Sequence, residues 1–181
     1  MTLPPGTSRP ESSPPGALHA EPLQPESLPP EQIRPATAQI LDLEPHPEGG
    51  WFRRMWTSSL PVETPGGVRP AATCIHYLLT PGEHSAWHVV TSDEIWLWHG
   101  PGTLILSLGG EGAAPGAVSD VVLGPNRADG DVAQALVPAG TWQAARLSAD
   151  STAGGAEVLV SCVVSPGFDF ADWSLAVPPV S

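Results

Sequence analysis

The chain has 181 residues, which is enough for one ordinary domain and a remainder but not for two large domains. Charged residues make up only 14%, and 23 Pro and 19 Gly accompany 41% hydrophobic residues, a composition that favours turns and short strands over a helical bundle. The net charge of -12, with seven Arg and no Lys, argues against a nucleic-acid partner, because binding to a phosphate backbone needs clustered cations.

Two features of the sequence bear on the cellular compartment. No apolar run approaches the ~20 residues that span a bilayer, and the N-terminal segment lacks the charged-then-apolar order of a secretory signal. We therefore expect a cytoplasmic protein without a membrane partner. The two cysteines, Cys74 and Cys162, lie in apolar, strand-like runs, and in that compartment they are expected to be buried, reduced thiols rather than a disulfide.

Prolines and aromatic residues divide the chain in two. Residues 1–35 contain ten prolines and no aromatic side chain, so they have little to bury against the entropy cost of ordering, and a disordered tail is predicted there. All eleven aromatic residues fall between Trp51 and Trp173, which places one folded domain at residues 36–177. Residues 36–43 (ATAQILDL) have apolar positions at helical spacing and precede two prolines, which predicts one short leading helix.

Short apolar or alternating segments begin at residue 50, separated by clusters of Gly, Pro, Asn and Asp, a pattern typical of an all-β sandwich or barrel. Residues 61–67 (PVETPGG) are among the predicted turns between these segments. No predicted turn is long enough for the crossover helix that parallel strands need, so the sheet is predicted to be mainly antiparallel. The C-terminal residues 168–176 are predicted to form a helix-like or irregular closure of the surface, held in place by Trp173. The eight predicted strands are residues 50–56, 71–79, 94–99, 103–108, 118–123, 132–137, 142–147 and 156–164.

Polar residues that interrupt a strand-like run carry the functional signal. If residues 93–99 are extended, Glu94, Trp96 and Trp98 share one face, and the residues between them share the other. A carboxylate beside two indoles has the makeup of a ligand pocket, which is mostly apolar with a polar anchor. His88 lies just upstream, across a turn, where it can converge on the same pocket.

Two further segments combine turn residues with polar side chains. A Pro-x-Gly turn at residues 138–140 precedes Gln143. A glycine pair at residues 49–50 indicates close backbone approach or a bulge, and it follows His46 and Glu48. We expect that histidine and that glutamate to set the shape of the loop.

Residues 82–88, Asp93 and Glu94, Gly100 or Pro101 and the later Pro-x-Gly turn together resemble the two-part motif of the cupin superfamily. More narrowly, three segments are similar to a small branch of single-domain cupins. They are LxPHPEGGxF at residues 43–52, WHxxxSDEIW at residues 87–96 and VPAGxWQA at residues 137–144. The resemblance implies an antiparallel jelly-roll β-barrel with a ligand cavity at its wider end, and a homodimer.

The resemblance also indicates which positions would hold a metal. A metal-binding cupin presents two His and a Glu from the first motif and a further His from the second. Here Ala86 stands at the first position, His88 at the second, Glu94 or Asp93 at the acidic one and Gln143 at the last. Catalytic zinc sites have three protein ligands, and an amide is a weak ligand for transition metals. We therefore predict that no metal or other cofactor is bound.

His88 and Glu94 are proposed as the polar anchors of the pocket or, in an enzyme, as its catalytic pair. A carboxylate among indoles is costly to bury unless it is paired or protonated, which favours a functional role. Other candidates have structural alternatives: Arg53 can pair with an acid, Asp93 can cap a turn, and His76 can face the interior or a dimer interface. The candidate ligand-binding residues are Arg53, His76, Asp93, Trp96, Trp98 and Gln143.

The leading functional hypothesis is a cupin that encloses a small, partly apolar organic ligand, sugar-like or acidic, in the mouth of the barrel. One alternative is a metal-independent sugar or metabolite isomerase or epimerase, in which His88 acts as a general base. A metal-dependent oxygenase is disfavoured by the missing ligands. A module for protein interactions would present an exposed apolar patch without a cavity, and a fold alone does not choose among these functions.

Overall fold

Short strands joined by tight turns make up most of residues 34–177, the part of the chain that the computed structural model describes. Two helices, α1 (Ala36–Ile40) and α2 (Ala149–Ala153), and two 3-10 turns, at Arg127–Asp129 and Phe170–Asp172, accompany them. The strands are β1 (Glu44–Pro45), β2 (Trp51–Thr57), β3 (Pro61–Thr64), β4 (Gly67–Pro70), β5 (Thr73–Leu79), β6 (His84–Val90), β7 (Asp93–Pro101), β8 (Leu104–Leu108), β9 (Ser119–Leu123), β10 (Gln134–Val137), β11 (Gln143–Leu147), β12 (Val158–Ser165) and β13 (Trp173–Leu175).

The predicted tail at residues 1–35 lies outside the described residues except for its last two positions. The predicted leading helix is present as α1, and it ends at Ile40 because Asp42 adopts a positive φ of 54°. Across residues 34–177, no helix combines the length and the hydropathy that a membrane crossing needs.

Two antiparallel sheets face each other across the interior. Six strands are ordered β1-β2-β5-β12-β7-β10, five are ordered β13-β6-β11-β8-β9, and β3 and β4 form a separate hairpin. Every pairing between these strands is antiparallel. The arrangement is an all-β jelly roll, which confirms the predicted fold class.

All eight predicted strands are present, but other segments differ from prediction. Strand β6 was missed because its buried positions include Ser85 and His88, so the apolar alternation that marks a strand is weak. Residues 61–67 were wrongly predicted to be a turn. They form β3 and the first residue of β4, because only residues 65–66 are needed to reverse the chain.

The C-terminal segment is partly regular. Residues 170–172 form a 3-10 turn, which agrees with a closure that is not a strand. Trp173–Leu175, in contrast, form the edge strand β13. This strand pairs with β6, so the predicted irregular closure is wrong for these three residues. Pairing with β6 brings Trp173 next to the interior of the jelly roll.

The interior between the sheets has an apolar end and a polar end. Leu79, Leu104, Leu147 and Val158 are buried at one end, where the register aligns β5, β8, β11 and β12. Burial of such a side chain stabilises the fold by about 1.5–3 kcal/mol. The opposite ends of β6, β7 and β11 carry buried polar side chains, namely His88, Glu94 and Gln143.

A second, smaller apolar cluster lies on the outer face of the six-stranded sheet. Helix α1 covers this face with Ala38, and Leu43 follows it, both fully buried. They pack with Trp51 of β2 and Leu78 of β5. The leading helix is therefore part of the folded domain.

The two cysteines lie on neighbouring strands but on opposite faces. Cys162 pairs with Ile75 in the ladder between β12 and β5, whereas Cys74 pairs with Val163, one position along. Successive side chains alternate between faces, so Cys162 is buried inside the jelly roll and Cys74 is half-buried outside it. Both thiols are free.

Strands β5 and β12, the most apolar of the predicted strands, are central in the six-stranded sheet. Strand β5 is hydrogen-bonded to β2 on one side and β12 on the other, and β12 is hydrogen-bonded to β5 and β7. Their apolar sequence is therefore explained by burial within one chain. It does not indicate an open edge that a second chain must cover.

Candidate functional site

A cavity opens between the polar ends of the two sheets. Its empty volume is about 540 Å³, which includes the opening to solvent. The enclosed part is narrow, so a small or flat molecule fits it. Four acidic or histidine side chains line its inner end: His46, Glu48, His88 and Glu94.

Glu94 and Trp96 point inward from β7, and Gln143 reaches them from β11 in the facing sheet. The indole Nε1–H of Trp96 can only donate, so the amide oxygen of Gln143, 2.9 Å away, accepts from it. The amide nitrogen of Gln143 then donates to Glu94 Oε2 at 2.6 Å. Burial raises the pKa of Glu94, because the carboxylate has little solvent around it.

His88 lies on β6, directly across from Gln143 on β11, and is 2% exposed. Its Nδ1 lies 2.8 Å from the carbonyl oxygen of Ala86, which can only accept, so Nδ1 carries the proton. Burial lowers the pKa of His88, although the Glu94 carboxyl acts in the opposite direction. Neutral His88 therefore has a lone pair on Nε2, for which no hydrogen-bond donor is present within residues 34–177.

The loop between β1 and β2 brings a second carboxyl, Glu48, to the cavity. Its Oε2 accepts from the Ser85 hydroxyl at 2.9 Å, and its Oε1 accepts from the Trp173 indole at 2.8 Å. Burial raises the pKa of Glu48 to about 7, although the two hydrogen bonds favour the carboxylate. Glu48 Oε2 also lies 3.4 Å from Nδ1 of His88, so the loop and β6 form one polar cluster.

Two glycines give this loop its shape. Gly49 and Gly50 have positive φ angles of 104° and 69°, which residues with a Cβ rarely adopt. A Cβ on Gly49 would lie 2.3 Å from the carbonyl oxygen of His84. The Gly49 carbonyl accepts from the Tyr77 hydroxyl at 2.6 Å. The loop is thereby packed against β5 and β6, which holds Glu48 at the cavity.

His46 completes the polar cluster. Its Nδ1 accepts from the backbone N–H of Glu48 at 3.3 Å and lies 3.7 Å from the carboxyl oxygen of the same residue. Burial lowers the pKa of His46 to about 4, and the neighbouring His88 acts in the same direction. The ring is therefore neutral at pH 7, its contact with Glu48 is not an ion pair, and Nε2–H is its remaining donor.

Aromatic rings surround the rest of the cavity. Phe52 lies edge-on to His46, with 4.5 Å between ring centroids, and Phe168 lies edge-on to Phe170 at 5.0 Å. The guanidinium of Arg54 lies over the Phe168 ring, 6.0 Å from its centroid. Arg54 is exposed, and within the described residues it is the one Lys or Arg that lines the cavity. The outer part of the cavity is thus aromatic, with a cation at its edge.

Four of the eight candidate residues meet at this cavity: His88, Glu94 and Trp96 line it, and Gln143 is hydrogen-bonded to two of them. Trp98 shares a face of β7 with Glu94, as strand alternation predicts. It packs against the apolar end of the core and donates to the carbonyl of Gly102 at 2.7 Å.

The remaining three candidates lie elsewhere. Arg53 is exposed on the outer face of the six-stranded sheet, 3.5 Å from an Asp42 carboxyl oxygen. His76 lies across from Arg53 on the same face, and its Nδ1 is buried without a hydrogen-bond partner in the described chain. Asp93 accepts from the backbone N–H of Ala139 at 2.9 Å, which is the turn-capping alternative.

Sequence reasoning assigned His46 and Glu48 to loop shaping and did not single out Arg54 as a lining residue. A loop has no repeating period, so the sequence does not indicate which way its side chains point. For Arg54, strand alternation indicated that Phe52 and Arg54 share one face of β2 and that Arg53 lies on the other. It did not indicate which of these two faces turns toward the interior.

The side chains of the cavity do not fit the metal centre that the cupin motif implies. Gln143 directs its amide oxygen to Trp96 and its nitrogen to Glu94, so it has no donor atom directed at a cation. Alanine stands at position 86, where a histidine would be needed. Within residues 34–177 no group of three or more His, Cys, Asp or Glu is placed to hold a metal ion.

A jelly roll whose interior gathers polar side chains from both sheets defines a protein of the cupin class. The chain belongs to the family described as Cupin superfamily (DUF985), whose model matches residues 36–176. The resemblance inferred from the sequence is thereby confirmed at the level of the superfamily.

Two solved structures are similar to the chain over most of its length. A hypothetical protein from Leishmania major is 34% identical with a TM-score of 0.69, and the match covers 76% of this chain and 83% of that one. A protein from Shewanella oneidensis is 32% identical with a TM-score of 0.67, covering 77% and 81%. An oxalate decarboxylase variant from Bacillus subtilis, 14% identical with a TM-score of 0.51, covers 76% of this chain and 31% of that one and shows the fold alone. No protein with a curated description matches.

Proposed function

We propose that the protein binds a small organic ligand in the cavity between its sheets, with His88 and Glu94 as polar anchors. The observation that carries this proposal is the pair itself: a neutral histidine with a free Nε2 and a buried carboxyl, both lining a narrow cavity. The aromatic rings around them supply the apolar contacts that most ligand sites have.

Stability alone does not account for these side chains. Burial of a carboxyl is unfavourable unless it is paired, and the raised pKa values of Glu48 and Glu94 show that the fold does not compensate the burial fully. Apolar side chains of similar volume would stabilise the same region better. Titratable groups with shifted pKa values, gathered in a cavity, are typical of functional sites.

The substitution Glu94→Gln tests the proposal. It removes the charge but keeps the shape and an acceptor for Gln143, so we expect an unchanged or raised melting temperature. A panel of small amines, alcohols, sugars and carboxylates, screened by ligand-observed NMR, is expected to contain at least one binder. Its affinity should fall by ~1–3 kcal/mol in the variant.

Glu111→Gln is the matched control, because Glu111 is exposed and lies away from the cavity lining. It should leave the affinity unchanged. If the panel contains no binder and native mass spectrometry finds no co-purifying molecule, ligand binding at this cavity is wrong. If Glu94→Gln unfolds the protein, Glu94 is instead a structural acid.

No contact within the described residues favours the isomerase or epimerase hypothesis over binding alone. His88 has the tautomer that a general base needs, with Nε2 unprotonated. A base for proton abstraction also needs a group that stabilises the resulting anion, and among the described residues the one Lys or Arg that lines the cavity, Arg54, lies at its exposed edge. Binding without turnover is therefore the function that we propose.

We also propose a homodimer in the cytoplasm. The support for a dimer is an exposed apolar pair on the outer face of the six-stranded sheet, Ile95 and Leu136, which are direct cross-strand partners and 38% and 56% exposed. Sedimentation velocity at micromolar concentration is expected to show a dimer, and Leu136→Glu is expected to shift it to monomer. A monomeric wild-type protein would contradict the proposal.

A further inference from the structure

The inner end of the cavity gathers two carboxyls that have no cationic partner among the described residues. Glu48 and Glu94 are 9% and 6% exposed, and the Glu48 carboxyl contributes to the raised pKa of Glu94. The histidines beside them, His46 and His88, are neutral. Within the described chain, the one cation that lines the cavity is Arg54, at the exposed edge.

The hydrogen-bonding groups at the inner end are mostly acceptors. Apart from Nε2–H of His46, the donors nearest to the carboxyls are already used within the protein: Ser85 and Trp173 donate to Glu48, and Gln143 donates to Glu94. His88 adds the unpartnered lone pair of Nε2, on a side chain that is 3% exposed. A ligand that satisfies these atoms must therefore bring several hydrogen-bond donors of its own.

The walls of the cavity also suit a cation. The rings of Phe52, Tyr77, Trp96, Phe168 and Phe170 line it, and the face of an aromatic ring attracts positive charge. The guanidinium of Arg54 over the Phe168 ring is an instance of this attraction within the protein. A flat or slender apolar body fits between the rings, since the cavity is narrow.

We propose that the ligand is a small organic ammonium ion, whose protonated amine lies between the Glu48 and Glu94 carboxyls and donates one N–H to His88 Nε2, with its apolar body among the aromatic rings. This proposal rests on the proposed ligand-binding function and names its ligand class. An ammonium group supplies three donors and a positive charge, which are what the inner end lacks. An anion would meet two carboxyls at the same place, so an acidic ligand is disfavoured.

Three probes that share a phenyl ring test the charge: benzylammonium, benzyl alcohol, which has the same shape, and benzoate, each titrated into the full-length protein at pH 8 by isothermal calorimetry. At this pH Glu48 is ionised and a primary ammonium keeps its charge. We expect benzylammonium to bind about tenfold or more tightly than benzyl alcohol, and benzoate not to bind. Glu48→Gln and Glu94→Gln should each weaken benzylammonium binding by about tenfold and alter benzyl alcohol binding little.

Two neighbouring arginines provide a matched pair of variants. Arg54→Gln removes the cation at the cavity edge, so we expect benzylammonium to bind as tightly as before or more tightly. Arg53→Gln changes the outer face of the same strand and should have no effect. Because both residues are exposed, these variants keep the test valid if a glutamate variant fails to fold.

Three outcomes overturn the ammonium proposal in distinguishable ways. Preferred binding of benzoate, lost in Arg54→Gln, would show an anion site and leave the proposed ligand-binding function standing. Equal affinities of benzylammonium and benzyl alcohol would show that shape, and not charge, selects the ligand. If none of the three probes binds at millimolar concentration, the ammonium proposal is wrong, and the broader panel then decides whether the cavity binds any small molecule.

Discussion

The side chain of Gln143 links the two sheets through hydrogen bonds that no apolar residue could replace. Its oxygen accepts from Trp96 and its nitrogen donates to Glu94, and all three side chains are buried. Replacement by Leu would leave both partners buried and unsatisfied. Each lost bond of this kind costs about 1–3 kcal/mol.

We therefore expect Gln143→Leu to lower the free energy of unfolding by roughly 2–4 kcal/mol in urea denaturation. Gln134→Leu is the matched control, because Gln134 is exposed on β10 and its side chain makes no hydrogen bond to any residue between 34 and 177. Its effect should stay within about 0.5 kcal/mol. Equal effects of the two substitutions would show that the link between the sheets adds nothing to stability.

The buried His46 and Glu48 make opposite contributions to the pH dependence of stability. The pKa of His46 falls from 6.5 to about 4 on folding, so the unfolded chain binds the extra proton and stability rises with pH across that window. The pKa of Glu48 rises from 4.5 to about 7, so the folded protein holds the extra proton and stability falls with pH. Each contribution is on the order of 3 kcal/mol.

Because the two contributions nearly cancel between pH 4.5 and 6.5, we expect them to add little net slope to the stability of the wild-type protein there. Glu48→Gln removes the falling contribution. The free energy of unfolding of the variant minus that of the wild type should therefore grow by about 3 kcal/mol from pH 4.5 to 7, measured by urea denaturation at each pH. A difference that stays constant with pH would contradict the burial of an ionisable Glu48.

Residue alternation explains how much of the site was predictable. A strand has a period of two, so the sequence predicted correctly that Glu94, Trp96 and Trp98 share one face, which the structure turns inward. It could not predict that Trp98 lies too far toward the apolar end to reach the cavity, because depth within the interior depends on how the two sheets overlap. Glu48 lies in a loop, where no period exists.

At the scale of elements, the loop between β1 and β2 is held by close backbone contact. Gly49 combines a φ of 104° with no space for a Cβ, since the carbonyl oxygen of His84 would lie 2.3 Å away. Gly82 has a similar φ of 90° but open space around it. Alanine at position 82 therefore tests the effect of the backbone conformation on stability alone, and alanine at position 49 adds the effect of the steric clash.

We expect Gly82→Ala to lower the free energy of unfolding by about 1–2 kcal/mol, from the left-handed backbone alone. Gly49→Ala should cost a further ~1–3 kcal/mol, because the loop must move away from β6. The same movement should displace Glu48 from Ser85 and weaken ligand binding. If the two alanine variants are equally stable, the loop is not held by the contact with His84.

The strands were predictable as elements because turn residues separate them at short intervals. The pairing order was not, since β12 lies between β5 and β7 although β5 ends at residue 79, β7 ends at residue 101 and β12 begins only at residue 158. The hairpin of β3 and β4 was hidden by its prolines, Pro61 and Pro70, which are direct partners at its open end. Proline is rare in strand interiors and so argued against a strand there.

For the whole molecule, the N-terminal boundary of the fold is expected at residue 34. Removal of residues 1–33 leaves α1 in place, so the melting temperature should change by less than a few degrees. Removal of residues 1–43 also deletes Ala38 and Leu43 and uncovers Trp51 and Leu78. The longer truncation should lower the free energy of unfolding by at least about 2–5 kcal/mol, the cost of losing one buried leucine.

Differential scanning calorimetry of both truncated chains tests whether the fold begins at residue 34. A large loss of stability in the shorter truncation would show that residues 1–33 contribute to the fold. An unchanged melting temperature in the longer one would show that α1 is dispensable.

The polar cluster is assembled from parts of the chain that are far apart in sequence: Glu48 and Trp173 are 125 residues apart, and Glu94 and Gln143 are 49 apart. An unfolded chain therefore has no partial version of the site, and any ligand of the cavity binds the native state alone. By mass action, a ligand at one hundred times its Kd adds about 2.7 kcal/mol to the free energy of unfolding. The fraction of folded protein in the cell, and with it the lifetime of the chain against proteases, would then follow the concentration of the ligand.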